Sequence, residues 1–180
     1  MALVRVHPLL IVLAALACLP GVAAASQDET NPTRNILELQ VGGGLLSGAY
    51  GTGPIAQAQA RFALWRSIGL GLYVGGAYTG NDRVQGVVPA CGRLNLSLPF
   101  WESFEPVLGF GAGYYTYFVD SSTGETKSDG EVGYHVALAL LFPHKKHGFG
   151  VEGALHVTAD PLSSDDANGF GTLVVTMLIR

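Results

Sequence analysis

From Leu37 to the end, the chain alternates apolar residues with small or polar ones at a period of two. Successive side chains of a β-strand point to opposite faces, so this period writes one apolar and one non-apolar face along each strand. Leu37, Leu39, Val41, Gly43 and Leu45 alternate with Glu38, Gln40, Gly42 and Gly44. Ala56 to Leu64 and Ile68 to Gly76 repeat the pattern, with Gln57, Gln59, Arg61 and Tyr73 on the second face. The stretch Arg83 to Leu98 is less regular, and Pro89, which cannot donate to a ladder, predicts a bulge or a late strand start there. Leu108 to Phe118, Glu131 to Phe142 and Gly148 to Val157 alternate clearly, and Phe170 to Arg180 is apolar on both registers. No stretch after the N-terminus is apolar for the ~20 residues that a membrane helix needs.

Eight such segments make an even strand count, with both ends of the array on one side. Trp65–Ser67, Pro99–Ser103 and Pro143–His147 read as short turns at that side. Ser47–Gly53, Thr79–Asp82, Asp120–Asp129 and Ala159–Asn168 read as mostly longer loops at the other. Short turns on one side and longer loops on the other characterise outer-membrane barrels.

Composition decides between lipid and water as the surroundings. Charged residues are 13% of the 180, about half the usual share. There are 25 glycines, and only 10 lysines and arginines. The weak positive charge excludes a nucleic-acid binder, and the strong apolar patterning excludes disorder. Each apolar face runs five to six residues deep, which suits a tilted membrane strand of ~10 residues. In lipid every backbone group must be satisfied internally, and only closure removes the sheet edges. The second faces carry Gly, Ala, Gln and Ser, as a narrow lumen requires. Tyr50, Trp65, Tyr78, Phe100, Trp101, Phe104, Phe118, Phe142, Phe149 and Phe170 lie near segment ends and are candidate interface girdles. The competing architecture is a soluble, lipocalin-like binding barrel, which would need a polar outer face.

Residues 1–25 carry Arg5, an apolar run Leu9–Leu19, helix-breaking Pro20-Gly21 and small Ala23-Ala24-Ala25, the features of a secretory signal peptide. Cys18 offers a second, lipoprotein-type route. Residues 26–34 read as a short periplasmic lead-in, and 35–180 as the barrel. Cleavage after Ala25 leaves Cys91 as one cysteine, which cannot form an internal disulfide and reads as a small apolar filler.

With pattern, strand count and leader together, the chain resembles the small outer-membrane β-barrels of the OmpX, OmpA and OmpW kind. The resemblance implies an all-β, eight-stranded antiparallel up-and-down transmembrane barrel in the outer membrane of a Gram-negative bacterium, reached by Sec-type export. It implies contact with outer-membrane lipid and lipopolysaccharide, and with the barrel assembly machinery. Such barrels usually end on an aromatic residue; this chain ends Leu178-Ile179-Arg180.

No H-E-x-x-H, C-x-x-C or G-x-S-x-G occurs, so no metal, cofactor or nucleophile-elbow site is expected. His144 and His147 flank Lys145 and Lys146, whose charge disfavours a cation. Asp160 to Asp166 does not have the spacing of a calcium loop, and Asp120, Glu125 and Asp129 read as solvated loop acids. Strand direction points Glu38, Arg61, Arg93 and Glu105 into the lumen near the periplasmic end. Two acids and two bases there would pair, because bare charges in a narrow lumen are costly. Glu131, His135, Glu152 and His156 fall higher, on neighbouring strands, as an upper lumen network. Carboxylate beside imidazole can do acid–base work. His156-Val157-Thr158 loosely resembles the His-x-Ser of outer-membrane lipid A deacylases, which would make Thr158 the nucleophile. The expectation is a non-enzymatic, side-chain-filled barrel serving envelope integrity or surface contact. A narrow OmpW-like channel for small apolar molecules and a lipid A-modifying enzyme are the alternatives.

Overall fold

The computed structural model describes residues 37–65, 67–98, 104–120, 126–144, 147–160 and 163–180, with backbone alone at 160 and 163–166. The expected signal peptide and lead-in, Phe100, Trp101, Glu125, Lys145 and Lys146 lie outside the described residues, as do the side chains of Asp160, Asp165 and Asp166. Eight strands form: β1 (Leu37–Gly48), β2 (Gly51–Ala63), β3 (Ile68–Tyr78), β4 (Val84–Ser97), β5 (Glu105–Asp120), β6 (Thr126–His144), β7 (His147–Asp160) and β8 (Ser163–Ile179). Each pairs antiparallel with its sequence neighbour, and β1 pairs with β8, so the sheet closes into an all-β up-and-down barrel.

The alternation sorts as the pattern requires. Leu70, Leu72, Tyr134, Leu138, Leu155, Leu173 and Met177 stand on the outside and are exposed, while Gln40, Gln57, Gln59, Asn95, Thr172 and Thr176 are buried inside. This arrangement gives an apolar outer belt around a lumen that holds the buried polar residues together with an apolar cluster, as suits a closed sheet surrounded by hydrocarbon.

The closing seam explains the run Gly42-Gly43-Gly44. Gly42 and Gly44 point inward against β8, where a Cβ at Gly42 would lie 2.9 Å from the Thr176 Cα and one at Gly44 2.7 Å from the Val174 Cα. Gly43 points outward and is not so confined.

Register sets the barrel's shear. Following paired residues from Glu38 through Arg61, Gly71, Arg93, Gly111, His135, His156 and Phe170 returns to β1 at Gly48, ten residues above the start. Strands therefore tilt, and each step to the next strand climbs just over one residue away from the end where β1 begins and β8 finishes. That end is called here the terminal end.

Three expectations change. Three of the four connections opposite the terminal end are shorter than expected, spanning 49–50, 121–125 and 161–162, while 79–83 stays close to the expected Thr79–Asp82. The residues expected in loops continue the ladders instead, as in Ser47↔Thr52, Tyr117↔Asp129 and Ala159↔Ala167, because pairing satisfies backbone groups that a loop would leave to solvent. The two-residue connection 49–50 leads into β2 at Gly51, whose φ of 109° suits a residue without a Cβ. Pro89 neither delays β4 nor bulges it. The strand starts at Val84, the ladder to β3 skips from Ala90 to Val87 across the proline, and the register shift on the β5 side falls at Val84/Gly86. Finally, Phe170 is not a girdle residue. It is 7% exposed and faces the lumen. Tyr50 likewise packs against inward Tyr117, with ring centroids 6.1 Å apart. Trp65 and Phe149 are exposed at the terminal end, where Phe104, Phe142 and Phe149 form a run of ring contacts.

Candidate functional site in the barrel lumen

The lumen is layered. At the terminal end, Glu38, Arg61, Glu105 and Arg180 make a closed cycle of ion pairs. Arg61 reaches Glu105 at 2.9 Å and Glu38 at 3.6 Å; Arg180 reaches Glu105 at 2.9 Å and also Glu38. Alternating charges, each touching two of opposite sign, leave no bare charge in a poorly solvated space. Burial alone would weaken the Arg180 charge, but the carboxylates of Glu38 and Glu105 hold its guanidinium above the ordinary arginine range. Beside the cycle, Val107, Ala139, Leu141 and Leu178 fill the wall of β5, β6 and β8.

Arg93 is not in this cycle. It lies three strands round from Glu38 on the same climbing rung, which lifts it above the terminal layer. Glu152, placed four residues below His156 on β7, comes level with it, and the two form a buried ion pair at 2.8 Å. Gln59 accepts from Arg93 Nη1 at 3.0 Å, and Gln57 donates to Glu152 at 3.3 Å. Tyr73 in turn donates to Gln57 at 3.3 Å, and Gln59 to Asn95 at 3.3 Å. Gly109 opens the wall for Arg93, because a Cβ there would overlap the guanidinium.

Above this sits an aromatic layer. His135 and His156 are paired residues with ring centroids 5.1 Å apart. The Tyr115 hydroxyl lies 3.0 Å from His156 Nδ1 and 3.5 Å from His135 Nδ1, and Phe170 stacks on His156 at 4.5 Å. Gly111 stands between Arg93 and His135 on the rung, and a Cβ there would overlap the imidazole. Leu46, Ile55, Val84, Val87, Cys91 and Tyr117 complete a buried apolar cluster toward the far end.

The eight sequence-selected residues therefore divide differently than depth by strand end suggested. Glu38, Arg61 and Glu105 meet at the terminal end. Arg93 and Glu152 form the middle pair. His135 and His156 meet in the aromatic layer, while Glu131 faces inward four residues nearer the far end and is only partly buried. Thr158 Oγ1 lies 2.7 Å from the Tyr117 hydroxyl and donates to the Ala159 carbonyl, away from His156. Arg180 was missed, although parity marks it: Phe170, Thr172, Val174, Thr176 and Leu178 all face inward, and residue 180 continues the series. The middle-layer glutamines were visible as lumen residues, but not their partners. Among the described residues, no group of three or more His, Cys, Asp or Glu side chains could hold a metal ion.

No protein-family model matches the chain, and no curated protein is similar to it in sequence. Solved structures do resemble it. Neisserial surface protein A superposes with a TM-score of 0.68 at 8% identity, over 80% of this chain and 96% of that one. The chain has the fold of the small outer-membrane barrels. The N-terminal β-barrel domain of Pseudomonas aeruginosa OprF (TM-score 0.55, 10% identity) also aligns with it over 79% of this chain and 96% of its own. So does Ail, the attachment invasion locus protein of Yersinia pestis (0.53, 13%), over the same shares. Ail has been solved in complex with the heparin analogue sucrose octasulfate.

Proposed function

We propose that this chain is a Gram-negative outer-membrane barrel with a closed lumen, which acts through its outer surface rather than by transport or catalysis. The carrying observation is the filled lumen. A cycle of four charges spans the terminal end, a buried ion pair crosses the middle, and aromatic rings occupy the far half. An apolar molecule moving through would have to pass both ionic layers, which argues against an OmpW-like conduit. The wall facing outward is apolar where a soluble lipocalin-like barrel would be polar. With the terminal end in the periplasm, the opposite end of the barrel faces outside and carries the surface-contact role. Lipopolysaccharide and the assembly machinery are the partners that such a location supplies.

Against a deacylase-like activity stands the hydrogen-bonding of Thr158 to Tyr117, within a lumen that an acyl chain in the membrane does not enter. Outer-membrane fractions run boiled and unboiled test the barrel and its location: a heat-dependent mobility shift is expected. Planar-bilayer recording tests closure, and steady conductance from the unmodified protein would overturn it. Lipid A from cells making the His156→Ala or Thr158→Ala variant should have an unchanged mass profile, identical to that from cells making the unmodified protein.

A further inference from the structure

We propose that the outer wall over β6, β7, β8 and β1 is a fixed seat for one acyl chain of a membrane lipid, with the lipid's polar end at Ser47 and Thr52. The proposal rests on the membrane reading above. The wall carries an apolar groove of about 550 Å³. Leu138, Leu155, Leu173 and Leu45 form its sides, and Gly153 and Gly171 its floor. Register places Gly153 between Leu138 and Leu173, and Gly171 between Leu155 and Ser47, so the floor runs diagonally toward the far end of the barrel.

These two glycines differ from the inward ones. At Gly42, Gly44 and Gly111 a Cβ would overlap the protein's own atoms. At Gly153 a Cβ would meet only the Thr172 carbonyl, at 3.9 Å, and at Gly171 its nearest neighbour would be Leu155 Cδ2 at 3.7 Å. The fold has room for side chains at both positions, and glycine within a strand is unfavourable. What the two glycines preserve is a hollow on the outside.

The chemistry of that hollow selects its occupant. No charged residue lines it, and it opens onto the apolar belt, so hydrocarbon suits it. At its far end Ser47 and Thr52 are exposed, with their hydroxyl oxygens 3.0 Å apart. A polar pair at one end of an otherwise apolar trough fits a chain that ends in a hydrogen-bonding headgroup. It fits a second copy of the barrel less well, because the leucine ridges of two such walls would meet each other.

The full-length protein is made in cells, inserted into vesicles of phosphatidylethanolamine and phosphatidylglycerol, and released for native mass spectrometry. One lipid per monomer should stay bound. In Gly153→Leu/Gly171→Leu the retained fraction should fall about tenfold, since the leucines take the methylene contacts. Gly92→Leu, which fills a different outer hollow bounded by Leu72 and Leu94, should retain lipid like the parent. Heat-dependent gel mobility reports folding and insertion of every variant separately. Equal lipid retention by the inserted double variant overturns the groove while leaving the membrane reading intact. Release as a dimer that the double variant abolishes would instead assign the groove to a second copy. Failure of the parent to insert at all would remove both readings.

Discussion

The two halves of the lumen solve one problem with different chemistry. Toward the terminal end the space is closed by Glu38, Arg61, Glu105 and Arg180, and above them by Arg93 and Glu152. Toward the far end it is closed by rings and aliphatic side chains around Tyr115, Tyr117, His156 and Phe170. Apolar filling depends on shape and tolerates local adjustment. Ionic filling depends on every member, because removing one partner strands another charge in a medium that solvates it poorly. The ionic half should therefore be the brittle half, most so at the deepest pair.

Breaking that pair is the strongest test. Arg93→Ala leaves Glu152 charged and buried, and should cost about 3–5 kcal/mol in urea unfolding of the inserted barrel. Replacing both residues, Arg93→Met with Glu152→Leu, should recover most of that loss, since a well-packed apolar pair of similar volume is often neutral. If the single variant unfolds like the parent and stays non-conducting, the ionic layer neither holds nor seals the barrel.

The boundary between the halves comes next. Gly111→Val drives a branched side chain into the His135 imidazole and should cost about 1–3 kcal/mol by the same unfolding measurement. Outward Gly43→Val has no such neighbour and should change stability much less.

In the aromatic half, Tyr115→Phe keeps the ring contact with Phe170 and deletes the hydroxyl beside His156. A loss of about 1 kcal/mol is expected, as for one buried neutral hydrogen bond. A loss as large as that of Arg93→Ala would mean that the far half is as brittle as the ionic one. The smallest effect belongs to the rim. Arg180→Gln removes a partly exposed member of the cycle and leaves Arg61 paired with both buried Glu38 and Glu105, so it should cost about 1 kcal/mol or less, falling further in high salt. Paired unfolding curves at low and high salt check this.

Much of the site was legible from parity. Glu38, Arg61, Glu105, His135 and His156 face inward because of their place in a period of two, and Arg180 obeys the same rule. Who meets whom was not legible. Counting positions from strand ends puts Arg93 level with Arg61 and groups Glu152 with His156 in an upper network. Three of the loops opposite the terminal end were misjudged for a related reason: serine, glycine and aspartate look like turn residues, yet a hairpin ladder keeps pairing them once its register is set. Phe170 sits near a segment end, where aromatics often face an interface, but its parity turns it onto His156.

By itself, then, the sequence determined the strand period, the strand number, the apolar exterior and the inward-facing set of residues, because each follows from local alternation along an extended chain. Only the closed barrel decided depth. Joining β8 to β1 fixes a shear of ten residues, and that tilt raises each successive strand against its neighbour. Charge partners are chosen at equal height in the lumen, and height is a property of the closed sheet that no single strand carries.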